Sequence, residues 1–125
     1  VTVLAELGLA TSEDAKLTLI APPDSVLAEA GRMKPRPLIA SSLGVARPSP
    51  QVAWWSERRL LDPATLSRLN WMLQVGQGRG WIVIDPNEEG VTMEELRKAV
   101  DGSVLRAGEE RQLSNGDFAL EVLPS

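Results

Sequence analysis

Four polar clusters in this 125-residue chain each follow a short apolar run. Asp24 and Ser25 come after Lys16 to Ala21, Ser41 and Ser42 after Pro37 to Ala40, Ser56 and Glu57 at the end of Gln51 to Ser56, and Asp85 and Asn87 after Trp81 to Ile84. If the four runs are neighbouring parallel strands, all eight residues gather at the carboxyl ends, where open α/β sheets bind ligands. They are therefore the candidate ligand-binding residues. Glu57 and Asp85 are a carboxylate pair that, with converging side chains, suits acid–base work or a divalent cation. Each acid also has a plainer role, and that role is the favoured one: Asp24 caps a helix, Asp85 opens an Asx-type turn before Pro86, and Glu57 is simply exposed.

The chemistry open to the chain is narrow. It has no Cys and no His, which removes disulfides, thiolate nucleophiles, the Ser/His/Asp arrangement and most zinc chemistry. No catalytic residue, metal ligand or cofactor is assigned. The net charge of −4 opposes a generic polyanion binder, so nucleic acid is not an expected partner. Arg32, Lys34, Arg36 and Arg47 do form an acid-free basic stretch, but Pro35, Pro37 and Pro48 place it on loops, where it reads as a solvated edge. Gly76-Gln-Gly-Arg-Gly80 superficially matches a phosphate loop; it follows a helix and precedes a strand, the reverse of the required context, and reads as a turn. Arg79 within it is read as a solvated loop arginine.

Hydrophobic residues make up 43% and charged residues 24%, near the average of globular proteins, and the length suits one domain, residues 1–125. No apolar run approaches the roughly 20 residues of a membrane span. No basic and apolar leader opens the chain. Together these make a cytoplasmic protein without membrane contact the expectation. Ten of the 13 basic residues are Arg, and Ala, Leu and Pro are abundant, a bias of GC-rich bacterial genomes.

The elements that must position the candidates follow from periodicity and punctuation. Val1 to Leu9, with Val1, Leu4 and Leu7 before Gly8, reads as a short covering helix. Lys16 to Ala21 is a strand stopped by Pro22-Pro23, and Asp24 or Ser25 caps a helix ending at Gly31. Pro37 to Ala40 is a short strand, and Leu43 to Pro50 is irregular. Gln51 to Ser56 is an apolar run typical of a central parallel strand. Asp62 as N-cap and Pro63 in the first turn start the best-marked helix, whose stripe is Leu66, Leu69, Met72 and Leu73. Trp81 to Ile84 is the next buried strand. Thr92-Met-Glu-Glu95 is a capping box with Val91 and Leu96 as hydrophobic staple. Ser103 to Gln112 and Asp117 to Leu123 form a hairpin around Asn115-Gly116, the last strand running antiparallel. The predicted class is α/β: a three-layer αβα Rossmann-like sandwich, mostly parallel, with an antiparallel C-terminal hairpin.

Several of these segments, namely Leu4-Ala-Glu-Leu-Gly8, Leu19-Ile-Ala-Pro-Pro23, Trp54-Trp55, Gly80-Trp-Ile-Val-Ile84 and the helix from Thr92, give the chain its likeness to a known group. It resembles a small bacterial family of unknown function whose members carry a reduced methyltransferase-like Rossmann domain. The resemblance implies a fold and no reaction. Leu113-Ser-Asn-Gly116 departs from it, because the aromatic residue that often precedes that turn is absent.

On such a fold a nucleotide or S-adenosylmethionine site needs close backbone approach after the first strand and an acid after the second. Ala21-Pro-Pro-Asp24 removes two amide donors there, and no acid occurs between Glu29 and Glu57. A noncatalytic domain acting through protein contacts or self-association is therefore the leading expectation; an S-adenosylmethionine- or nucleotide-binding enzyme is the alternative. Trp54 and Trp55, adjacent in a strand, point to opposite faces and read as core. Trp71 lies off its helix's apolar stripe, beside Arg68 and Val75. These three have the composition of an interface anchor, most simply of a homodimer. The other reading is that the N-terminal helix or the long connector covers Trp71.

Overall fold

The computed structural model describes residues 2–125, so Val1 of the first predicted helix lies outside the described residues. One six-stranded sheet runs in the order β2-β1-β3-β4-β6-β5. The strands are β1 (Leu17–Ile20), β2 (Leu38–Ala40), β3 (Gln51–Trp55), β4 (Arg79–Ile84), β5 (Arg106–Gln112) and β6 (Phe118–Leu123). The first four are mutually parallel, while β6 pairs antiparallel with both β4 and β5. The chain is thus mixed α/β, with a mostly parallel sheet and an antiparallel C-terminal hairpin.

Helices α1 (Val3–Glu6), α2 (Asp24–Ala30), α3 (Pro63–Gly76), α4 (Pro86–Glu89) and α5 (Met93–Asp101) complete the fold. Strand alternation decides what each covers. Val52, Trp54, Ile82 and Leu120 pack with Leu66, Leu69 and Leu73 of α3 and Leu96 and Val100 of α5. Leu17, Leu19 and Ala53 pack with Leu4 of α1 and Val26 and Ala30 of α2. Trp81, Val83 and Ala119 pack with Leu7 and Leu113. Trp54 belongs to the first cluster and Trp55 packs against the other two, so the adjacent tryptophans do serve opposite faces.

Capping explains where helices start, with two corrections. Asp62 accepts the Thr65 amide at 2.9 Å and its hydroxyl at 2.9 Å, and these bonds hold its carboxyl below the usual range. Asp24, by contrast, caps nothing. Pro23 occupies the N-cap position and no side chain bonds the first turn of α2, because the proline pair ends one residue later than a capping Asp24 requires. The box at α5 is half formed: Thr92 accepts the Glu95 amide at 3.1 Å, but the Glu95 carboxylate takes the Thr92 hydroxyl at 3.4 Å and Arg58 at 3.2 Å in place of the Thr92 amide. Val91 and Leu96 are both buried in the main cluster, as a staple requires. Asp85 caps α4, a short helix the sequence reading took for the turn alone, accepting the amides of Asn87 at 3.0 Å and Glu88 at 3.3 Å.

The boundaries also shift. The strand read from Ser103 starts at Arg106, and the connector read as irregular contains a 3-10 turn at Leu43–Val45. The hairpin closes through a Gly116 amide bond to the Leu113 carbonyl at 3.0 Å, with Gly116 at φ +96°. This is a three-residue loop with glycine in the left-handed position. No helix among the described residues is long and apolar enough to cross a membrane.

The Gly76 to Gly80 run is a packing device. A Cβ at Gly76 would strike the Ser49 backbone, one at Gly78 would strike the Pro50 carbonyl, and one at Gly80 would stand 2.9 Å from the Val52 oxygen. The left-handed residue that ends α3 is consequently Gln77, at φ +55°, since both neighbouring glycines are committed to contact. Arg79, read as a solvated loop residue, is the first residue of β4 and pairs with Glu121 at 3.3 Å.

Gly78→Ala is expected to lower stability by about 3 kcal/mol, because its new methyl group meets backbone that cannot swing aside. Urea denaturation checks this against Gly44→Ala, where nothing lies nearer than the Ser42 hydroxyl at 3.9 Å and the effect should stay within about 0.5 kcal/mol.

Candidate functional site

At the carboxyl ends of β1, β3 and β4 lies a cleft of about 540 Å³. The strand order reverses between β1 and β3, with β2 and β3 on opposite sides of β1, so the cleft sits at the switch point of the parallel sheet. Of the eight candidates it takes Ser56, Glu57 and Asp85. Asp24 and Ser25 begin α2 and are exposed, Ser41 and Ser42 are exposed ahead of the 3-10 turn, and Asn87 is exposed on α4. None of these five lines the cleft.

Sequence reasoning missed Glu88, Glu89 and Asp117, which also line it. Glu88 and Glu89 enter because α4 exists and folds back over the strand ends. Asp117 enters through strand order. Phe118 is registered opposite Ile84 in the antiparallel pair, which sets Asp117 opposite Asp85. The only signal in the sequence was the position of Asp117 as the first residue of the predicted last strand, after the Asn115-Gly116 turn.

Three of the five carboxylates, Glu57, Glu89 and Asp85, are already engaged. Glu57 accepts from Arg59 Nε at 2.6 Å, and this bond, with the glutamate's charge, raises the arginine's pKa. Glu89 accepts the Arg58 amide at 2.9 Å, and Asp85 holds the start of α4. Asp117 differs: burial, then the charge of Asp85, push its pKa up, although a hydrogen bond from Asn115 acts the other way. Among the described residues no three acids are arranged to hold a metal ion. Ser56 is buried and its hydroxyl donates to the Glu57 carbonyl at 3.1 Å. The indole N–H of Trp55, also in the cleft wall, is buried without a partner.

The turn leaving β1 is strained. Ala21 lies at φ +54°, a left-handed conformation that favours glycine, and its amide is tied to the Ala40 carbonyl at 2.8 Å. Pro23 then lines the cleft, where an amide donor would be needed to cradle a phosphate.

A second set of candidates lies on α3. Trp71 is 43% exposed and Val75 55% exposed. The Arg68 guanidinium sits 4.5 Å from the centre of the Trp71 ring. The indole is left only partly covered, and the 3-10 turn of the connector packs against α3. Leu4 of α1 packs with α2 residues, and Leu43 of the connector is buried in the main core.

No family model, curated protein or solved structure matches the chain.

Asp117 supplies a pH test. Its folded pKa is raised, so the folded state binds the proton more tightly than the unfolded chain, and stability falls as pH rises through the window just above the ordinary carboxylate range. Asp117→Asn is expected to melt higher than the parent at pH 7. The two melting temperatures, followed by circular dichroism, should converge as the pH is lowered below 4, roughly the ordinary carboxyl pKa.

Proposed function

We propose that this chain is a noncatalytic, reduced methyltransferase-like domain, a three-layer Rossmann-like sandwich, that acts through protein contacts. Self-association is its simplest form. One observation carries the reading: Trp71, Arg68 and Val75 stand together, exposed, on the outer face of α3. An indole stacked by a guanidinium gains only about 0.5–1 kcal/mol at an exposed site, so burying the Trp71 face against a partner is the larger reward. Tryptophan and arginine are also the residues that anchor interfaces most often. The packing of helices against both sheet faces supports the three-layer form. The noncatalytic part is supported by the Pro22-Pro23 turn and by cleft carboxylates that already serve Arg59, Arg58 and the start of α4.

Light scattering tests the reading. The parent should show twice the 13.5 kDa chain mass, and Trp71→Ala should return it to the single-chain value; a single-chain mass for both proteins removes the homodimer.

The strand-end cleft favours a second reading, an S-adenosylmethionine- or nucleotide-binding enzyme, because it is open at the switch point and walled by an aromatic ring. Its acids repel phosphates and suit a sulfonium cation better. A thermal-shift experiment decides. S-adenosylmethionine at about 100 times its Kd adds about 2.7 kcal/mol to stability, and no shift with it or with nucleotides leaves this reading without support.

A further inference from the structure

At the opposite end of the sheet, where β1 and β3 begin, lies a second cavity of about 270 Å³. Its walls are largely apolar, formed by Leu17, Leu38 and the prolines at 35, 48 and 50. Two cations, Lys16 and Arg36, line it as well. Among the described residues neither makes an ion pair, a state they share with Arg32, Lys34, Arg47, Arg68 and Arg106. Ser49 also lines the cavity; it is only 2% exposed, and its hydroxyl has no hydrogen-bond partner. A buried unpaired hydroxyl is costly unless something completes it.

We propose that this cavity binds a small monoanion with an apolar body, of the size and chemistry of an aryl carboxylate. Lys16 and Arg36 supply the charge, and the proline and leucine walls bury the ring. The volume equals that of about nine waters at ~30 Å³ each, close to the nine or so heavy atoms of benzoate. The three wall prolines have no N–H to offer, which leaves the cavity poorer in the amides that cradle a phosphate dianion. The acids of the strand-end cleft lie at the other end of the sheet; those close to Lys16 in sequence are Glu13 and Asp14, neither of which pairs with a cation among the described residues. The proposal also gives the acid-free Arg32 to Arg47 stretch a purpose, through Arg36. It is independent of the α3 contact surface.

Amide chemical shifts of the full chain, titrated with benzoate, benzamide, benzylammonium and inorganic phosphate, test it. Benzoate should give saturable shifts at Thr11, Leu17, Leu38 and Ser49 with a Kd on the order of 1 mM, the reach of so few heavy atoms. Benzamide, benzylammonium and phosphate should each bind at least tenfold more weakly. Lys16→Gln with Arg36→Gln, both at exposed positions, should weaken benzoate tenfold or more without moving the melting temperature. Benzoate shifts that do not saturate or that fall elsewhere overturn the proposal, as does a double variant that binds like the parent. Benzamide matching benzoate removes the anion requirement, and phosphate matching it removes the apolar one; either result also overturns the proposal.

Discussion

The return from α3 into β4 is made with backbone pressed on backbone, Gly76 against Ser49 and Gly78 against Pro50. This close approach sets the register from which the sheet is built. It places Arg79 beside Gln51 at the start of the β3–β4 pair and brings α3 down over Val52 and Ile82. With β3 and β4 fixed side by side, their ends are fixed too. Ser56 and Asp85 come out together at one end, and the Ser49-Pro50 wall stands at the other. Both cavities are therefore consequences of a contact that only glycine permits.

Charge is distributed along the same axis. Glu57, Asp85, Glu88, Glu89 and Asp117 surround the carboxyl ends of the central strands, while Lys16 and Arg36 stand where β1 and β3 begin. A net charge of −4 conceals this separation. The two ends differ in their internal neutralisation as well. Of the acids at the first end, Glu57 pairs with the Arg59 guanidinium and Glu89 accepts only the Arg58 backbone N–H, whereas the cations at the second have no ion-pair partner among the described residues. The field of the domain therefore presents opposite signs at its two ends.

The elements were legible where local chemistry is strong. Asp62-Pro63 starts α3, the apolar runs at Val52 and Trp81 become buried parallel strands, and Trp54 and Trp55 divide between the faces. Trp71 was placed outside the apolar stripe by helical geometry, and it is exposed. The failures share a cause, which is competition from residues distant in sequence. Glu95 divides its carboxylate between the Thr92 hydroxyl and Arg58, a charged partner from across the fold, and does not take the Thr92 amide. Asp24 loses its cap to the geometry of Pro22-Pro23. Of the cleft, three of eight candidates were found. Asp117 was not, since strand order within the sheet is set by packing and leaves no mark on the sequence near Asp117.

That strand order has a consequence for how the domain comes into being. β6 is the last strand in sequence, yet it lies inside the sheet between β4 and β5. As the chain is synthesised, β5 is made before it has a neighbour, and β4 keeps a bare edge of unpaired amides and carbonyls beside Trp81, Ile82 and Val83. An apolar open edge of this kind recruits other strands. Until β6 emerges the nascent domain is open to misassociation along β4, and insertion of β6 between β4 and β5 closes that edge.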